Sequence, residues 1–259
     1  LPMLIAQILN LLYNIVDRIY ISRIPDVGTR ALGAVGLCFP VITIITAFAN
    51  LFGGGGAPLF SIYRGQKEEH KAGRIMNTSF TMLCFGAIVL MSVGLLTARP
   101  LLVLFGASAD TLPFAQPYIM IYLIGTLPSM IAVGMNPFIN AQGYALIGMS
   151  SVAVGAAANL LLDPLFIFVL GLGVEGAAIA TVISQFLSAA FVLYFLMRKA
   201  ELKVRLLRKY EFRGCFGYAK NIVSLGTAGF IMQLTNSLLQ VKNKNIGIVL
   251  GVNDVQSIP

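Results

Sequence analysis

Asn159 and Asp163 lie four residues apart in a run that is otherwise Val, Ala, Leu, Ile and Phe. Positions i and i+4 of a helix share a face, so the amide and the carboxylate point the same way. The flanking stretch is apolar for the roughly 20 residues that a bilayer crossing needs. A carboxylate inside such a span costs on the order of 3 kcal/mol on insertion scales. It is retained where it faces a protein interior or a water-filled cavity and handles an ion, a proton or a cationic group. The first apolar segment carries a second carboxylate, Asp17, with Asn10 and Asn14 at helical spacing on the same side. That polar stripe is expected to face the inside of a bundle.

The elements that must hold these residues follow from composition. The chain has 259 residues, 58% of them hydrophobic and 11% charged, with a mean hydropathy of +0.86. Soluble domains carry about 25% charged residues, so the reading is an all-α, polytopic membrane helical bundle. The net charge of +8 resides mainly in two short segments between apolar runs, Arg64 to Arg74 and Arg198 to Arg213, which is the pattern of membrane topology and not of a nucleic-acid surface. Cys38, Cys84 and Cys215 are isolated and read as core thiols. The first apolar segment continues at spanning length, which argues against a cleaved signal peptide. Because the chain opens at Leu1 without methionine, its true start is expected upstream.

Spans are predicted over about Leu1–Ile21, Leu32–Ile62, Ile75–Ala98 (ended by Arg99-Pro100), Tyr118–Asn140, Gly148–Leu170 and Ala177–Met197. A seventh apolar stretch covers about Ile222–Leu239. Arg198 through Arg213 is basic and amphipathic and is predicted to be a helix on an anionic leaflet. The two basic segments are separated by four spans, which puts both on one side, the cytoplasm. Gly53 to Gly56 lacks the Gly-Lys-Ser/Thr of a phosphate loop and is expected to serve close helix packing or a break. Gly171-Leu172-Gly173-Val174-Glu175-Gly176 has dinucleotide-motif spacing, but it joins two spans instead of following a strand and is read as a tight turn. His70 falls in a solvated loop, and the acceptor-like Asn77-Thr78-Ser79 is taken as a chance match.

In this order and spacing, four segments carry a resemblance: Tyr13-Asn14-Ile15-Val16-Asp17, Gly56-Ala57-Pro58-Leu59-Phe60-Ser61, Asn159 through Ile167, and Gly173 through Thr181. With them the chain resembles the amino-terminal lobe of the multidrug and toxic compound extrusion (MATE) family, in the bacterial and archaeal branch with an aspartate on the first helix. The resemblance implies a six-helix lobe of a twelve-helix antiporter that exports cationic and aromatic compounds in exchange for Na⁺ or H⁺, with no other cofactor. It places the cation or proton site on Asp17, Asn159, Asp163 and Thr181, with a further amide at Asn136, and a hinge at Pro2. Na⁺ would be held chiefly by Asp17 and Asp163. Brought close in a low dielectric, those two carboxylates cannot both stay ionised without a cation or a proton.

The resemblance runs to about Gln240. The expected domains are residues 1–197 as the six-helix lobe, 198–216 as a cytoplasmic basic amphipathic linker, 217–240 as the start of a second lobe, and 241–259 as a divergent tail, expected to be truncated or frameshifted. The expected partners are small-molecule substrates, the lipid bilayer of the cell membrane and a missing second lobe or another half-transporter. Arg18, Ile21-Ser22 and Asn140 depart from the family's pattern and bear on substrate range. Two other classes stay open: a lipid-linked precursor flippase, which would need an interior basic cavity, and a seven-helix receptor or channel.

Overall fold

Long apolar runs can satisfy their backbone in a membrane only as helices or as closed barrels. A computed structural model, which describes residues 2–25, 27–207 and 212–249, shows helices throughout. They are α1 (Pro2–Ser22), α2 (Gly28–Gly65), α3 (Glu69–Leu104), α4 (Leu112–Ile124), α5 (Thr126–Ala141), α6 (Ala145–Pro164), α7 (Gly173–Tyr194) and α8 (Phe212–Val249). Five of them, α1, α2, α3, α6 and α7, are long and apolar enough to cross a membrane, and α4 and α5 are together long and apolar enough for a sixth, broken span. Outward-facing side chains such as Phe85, Leu96, Leu11 and Leu161 are more than 60% exposed, a surface that suits lipid and not water.

The bundle is built around α2, which packs on α3, α5 and α8. Its glycine run stays helical and serves close approach. A Cβ at Gly53 would overlap the carbonyl of Gly134 on α5, and one at Gly55 would overlap the carbonyl of Ile222 on α8. The tight turn expected between α6 and α7 is present, with Gly171 and Gly173 at φ values of +65° and +56° that side chains resist.

Several sequence expectations are corrected. The fourth span is not one helix: it bends by 58° at Gly125, between α4 and α5. Pro128 has no N–H to return to Ile124, and a Cβ at Gly125 would lie 2.7 Å from a Val182 methyl on α7. Arg99-Pro100 does not end the third helix. Both residues are exposed, and α3 continues to Leu104. The polar stripe of α1 is only partly inward: Asn10 is exposed, while one carboxylate oxygen of Asp17 is buried. Pro2 is the first residue of α1, a position where a missing N–H costs no helical bond.

The linker also differs. Residues 200–207 are not helical, and Ala200 turns into an extended conformation (ψ 150°) after the π-type turn Phe195–Lys199. Arg208 to Glu211, the centre of the amphipathic pattern, lie outside the described residues. The seventh apolar stretch sits within α8, which continues through Gln240 to Val249; residues 250–259 of the expected tail lie outside the described residues.

Candidate cation site between α1, α6 and α7

Asn159 and Asp163 point inward from one face of α6 and are only 2% and 1% exposed. The Asn159 Nδ2 donates to Asp163 Oδ1 at 3.1 Å and to Thr181 Oγ1, on α7, at 3.4 Å. The Thr181 hydroxyl spends its proton on the Ala177 carbonyl at 2.9 Å, so toward Asn159 it presents oxygen lone pairs. From α1, the Asp17 carboxyl comes within hydrogen-bonding reach of the Asp163 carboxyl. The α-helical part of α6 stops immediately after Asp163, at Pro164, and gives way to the π-type turn Leu165–Val169. Four of the residues named from the sequence therefore meet: Asp17, Asn159, Asp163 and Thr181.

Hydrogen bonding in this cluster is incomplete in one direction only. Asp17 Oδ1, Asp163 Oδ2 and Asn159 Oδ1 are buried oxygens with no donor. Buried acceptors are nearly always paired, and two like charges about 4 Å apart repel by roughly 4 kcal/mol even at an effective dielectric of 20. The arrangement therefore calls for a shared proton or a cation. Three orphaned oxygens from a carboxylate pair and an amide are the hard, oxygen-only donor set that suits an alkali or similar cation. Among the described residues no three His, Cys, Asp or Glu side chains gather in one place, so this donor set rests on the amide and hydroxyl as well.

Asn136 does not join this cluster. Its Nδ2 donates to the Gly148 carbonyl at 2.9 Å and to Ser151 Oγ at 2.6 Å, and its oxygen accepts from Asn140 at 3.1 Å. Ser151 and Asp163 are twelve residues apart on α6, about 18 Å along the axis. Asn136 ties α5 to α6 at that distance from the carboxylates.

The sequence reading missed a neighbouring aromatic and amide wall. Tyr118 and Tyr122 of α4 are buried, with stacked rings 6.5 Å apart, and Tyr118 lies within electrostatic range of both aspartates. Gln185, one turn beyond Thr181, donates to the Tyr122 hydroxyl at 3.0 Å and leaves its own oxygen without a donor. The available signal was the i, i+4 spacing of Thr181 with Gln185 and of Tyr118 with Tyr122. Arg18, beside Asp17, stacks its guanidinium 4.5 Å over the Phe39 ring of α2.

Ionisable residues inside membrane-length helices, beside a broken span, mark the interior pathways of membrane transporters. Residues 2–165 match the MatE family profile, which is well over half of the chain, and the chain belongs to that family. The chain is 29% identical over 202 residues to the multidrug export protein MepA of Staphylococcus haemolyticus, covering 78% of this chain and 44% of that protein. It superposes on an outward-facing structure of a multidrug resistance MATE family transporter with a TM-score of 0.86 and 27% identity, over 97% of this chain and 55% of that one. An inward-facing structure of a transporter so described gives 0.84 and 26%, over 93% and 54%. The chain thus spans about half the length of the relatives it matches, as an amino-terminal lobe, and proteins of this family are transporters and not enzymes.

Proposed function

We propose that this chain is the first lobe of an antiporter of the cell membrane that exports cationic and aromatic compounds in exchange for Na⁺ or H⁺. The coupling site is Asp17, Asp163 and Asn159, with the Thr181 oxygen at its edge, and the basic loops face the cytoplasm. A second lobe completes the transporter, and alternating access rocks the two lobes about the site, with any bend of α1 at Pro2 lying at its first residue. The single observation that carries this reading is the set of three buried oxygens, on two helices, that have no donor.

Loading the site with Na⁺ or a proton cancels charge beside the substrate path and lowers its affinity for a cationic compound. Emptying the site restores that affinity. A ligand drives a two-state equilibrium only through such differential affinity, and coupling energies of roughly 1–3 kcal/mol are typical. The drug-export description of the MepA relative supports the substrate class.

The test uses the polypeptide that contains this chain, in everted membrane vesicles, with ethidium as the transported dye. Transport that responds to an imposed Na⁺ or H⁺ gradient, and loses that response in Asp163→Asn, is expected. Gradient-dependent transport that is unaltered in Asp163→Asn would remove the site from the mechanism.

A further inference from the structure

The linker that leaves α7 is held by side chains of three other helices. The Gln142 side chain, 3% exposed at the end of α5, binds the Leu202 backbone twice, accepting its N–H at 3.1 Å and donating to its carbonyl at 3.4 Å. On α3, Asn77 Oδ1 accepts the Arg205 N–H at 2.8 Å and Thr81 Oγ1 accepts the Leu207 N–H at 3.3 Å. Arg64, at the end of α2, donates to the Ala141 carbonyl at 3.2 Å and pairs with Glu201.

The register explains why an extended strand fits here. Asn77 and Thr81 are one helical turn apart, about 6.0 Å along α3. Arg205 and Leu207 are two residues apart, about 6.6 Å along an extended chain. Alternate linker amides therefore meet successive turns of one helix face, and Val204, immediately before the first of them, is buried at 3% exposure. Asn77, which heads an acceptor-like Asn-Thr-Ser, is 7% exposed and already occupied by this contact.

We propose that residues 200–207 form a strap that stays docked through the transport cycle, so that the first lobe and its outgoing linker move as one body. This rests on the antiporter reading above. Two observations support it. The strap bridges α2, α3 and α5 at once, so undocking would strand two buried amide side chains. The chain also superposes on outward- and inward-facing structures at 0.86 and 0.84, so the overall fold of the lobe is shared by both states.

The test uses the full transporter polypeptide in proteoliposomes, with Cys38, Cys84 and Cys215 replaced by Ser or Ala. Arg64→Cys with Glu201→Cys is bridged by a short bismaleimide. Ethidium transport is expected to stay within about twofold of the unbridged protein, because gating motions elsewhere set the rate. Transport that stops on bridging overturns the proposal. Asn77→Ala with Gln142→Ala is expected to speed hydrogen exchange at the Leu202 and Arg205 amides by at least about tenfold. It is also expected to slow transport, and bridging 64 to 201 in that background should restore it. Unchanged exchange, or slowed transport that bridging does not restore, also overturns the proposal. If the starting protein shows no gradient-driven transport, the antiporter reading fails, while the exchange measurement still reports on docking of the strap.

Discussion

Asn77 and Asn159 are both buried asparagines on membrane-length helices, and their side-chain oxygens meet opposite fates. Asn77 Oδ1 receives the backbone N–H of Arg205, whereas Asn159 Oδ1 has no donor. On α3, the side-chain oxygens of Asn77 and Thr81 are spent on holding backbone. Around Asn159 the polar groups are left facing two carboxylates, each of which also has a buried oxygen without a donor. The satisfied group makes a joint, and on the antiporter reading the oxygens left without donors beside Asn159 would take a cation or a proton. The difference separates structural polarity from functional polarity within one lobe.

The largest expected effect is at the carboxylates. Asp163→Asn is expected to abolish the gradient dependence of ethidium transport, a loss of the whole coupling term, roughly 5–150-fold in affinity. Asp17→Asn should do the same, and the double substitution should be no worse than either, because the two residues act as one unit. Additive losses in such a cycle would separate them. Next in size is Gln142→Ala, which strands the Leu202 N–H and C=O. It should lower stability by about 1–3 kcal/mol in a thermal unfolding assay. The concentration of Na⁺ or H⁺ giving half-maximal transport should stay where it was, and a shift there would merge the two regions.

Thr181→Ala should weaken cation dependence by about two- to tenfold, in line with one lost neutral oxygen contact, and Thr181→Ser should restore it. Equal behaviour of the Ala and Ser variants would mean that the hydroxyl only serves its own helix. The smallest expected effect is Asn136→Ala, about 1 kcal/mol of stability with cation dependence unaltered. A change in cation dependence there would place Asn136 in the site despite its bonds to Gly148 and Ser151.

How much of this was legible in the chain depended on the range of the interaction. Asn159 and Asp163 could be paired because i, i+4 geometry is local, and the helix places them as expected. Asn136 rested on resemblance and not on local geometry, and the structure spends its amide on the α5–α6 contact. The break at Gly125 had its punctuation in Gly125 and Pro128, but the hydropathy of the run is continuous and hides a bend. For the linker, charge periodicity suggested a surface helix. Acceptors on Asn77 and Thr81, far away in sequence, instead offered an extended backbone its hydrogen bonds. Tertiary partners outweighed local pattern, because backbone groups go where all of them are satisfied.

The membrane class, the helical build and the two carboxylates that could not stay charged and buried alone are legible in the order of residues. Hydropathy and helical periodicity act over one turn or one span, so they are written in neighbouring residues. Packing between helices settles that Asp17 reaches Asp163 from α1, as the resemblance implied, that Asn136 does not join them, and that the linker lies down as a strap. Each of those outcomes turns on which polar atoms on different helices come within about 3 Å of one another, a distance no periodicity in the chain encodes.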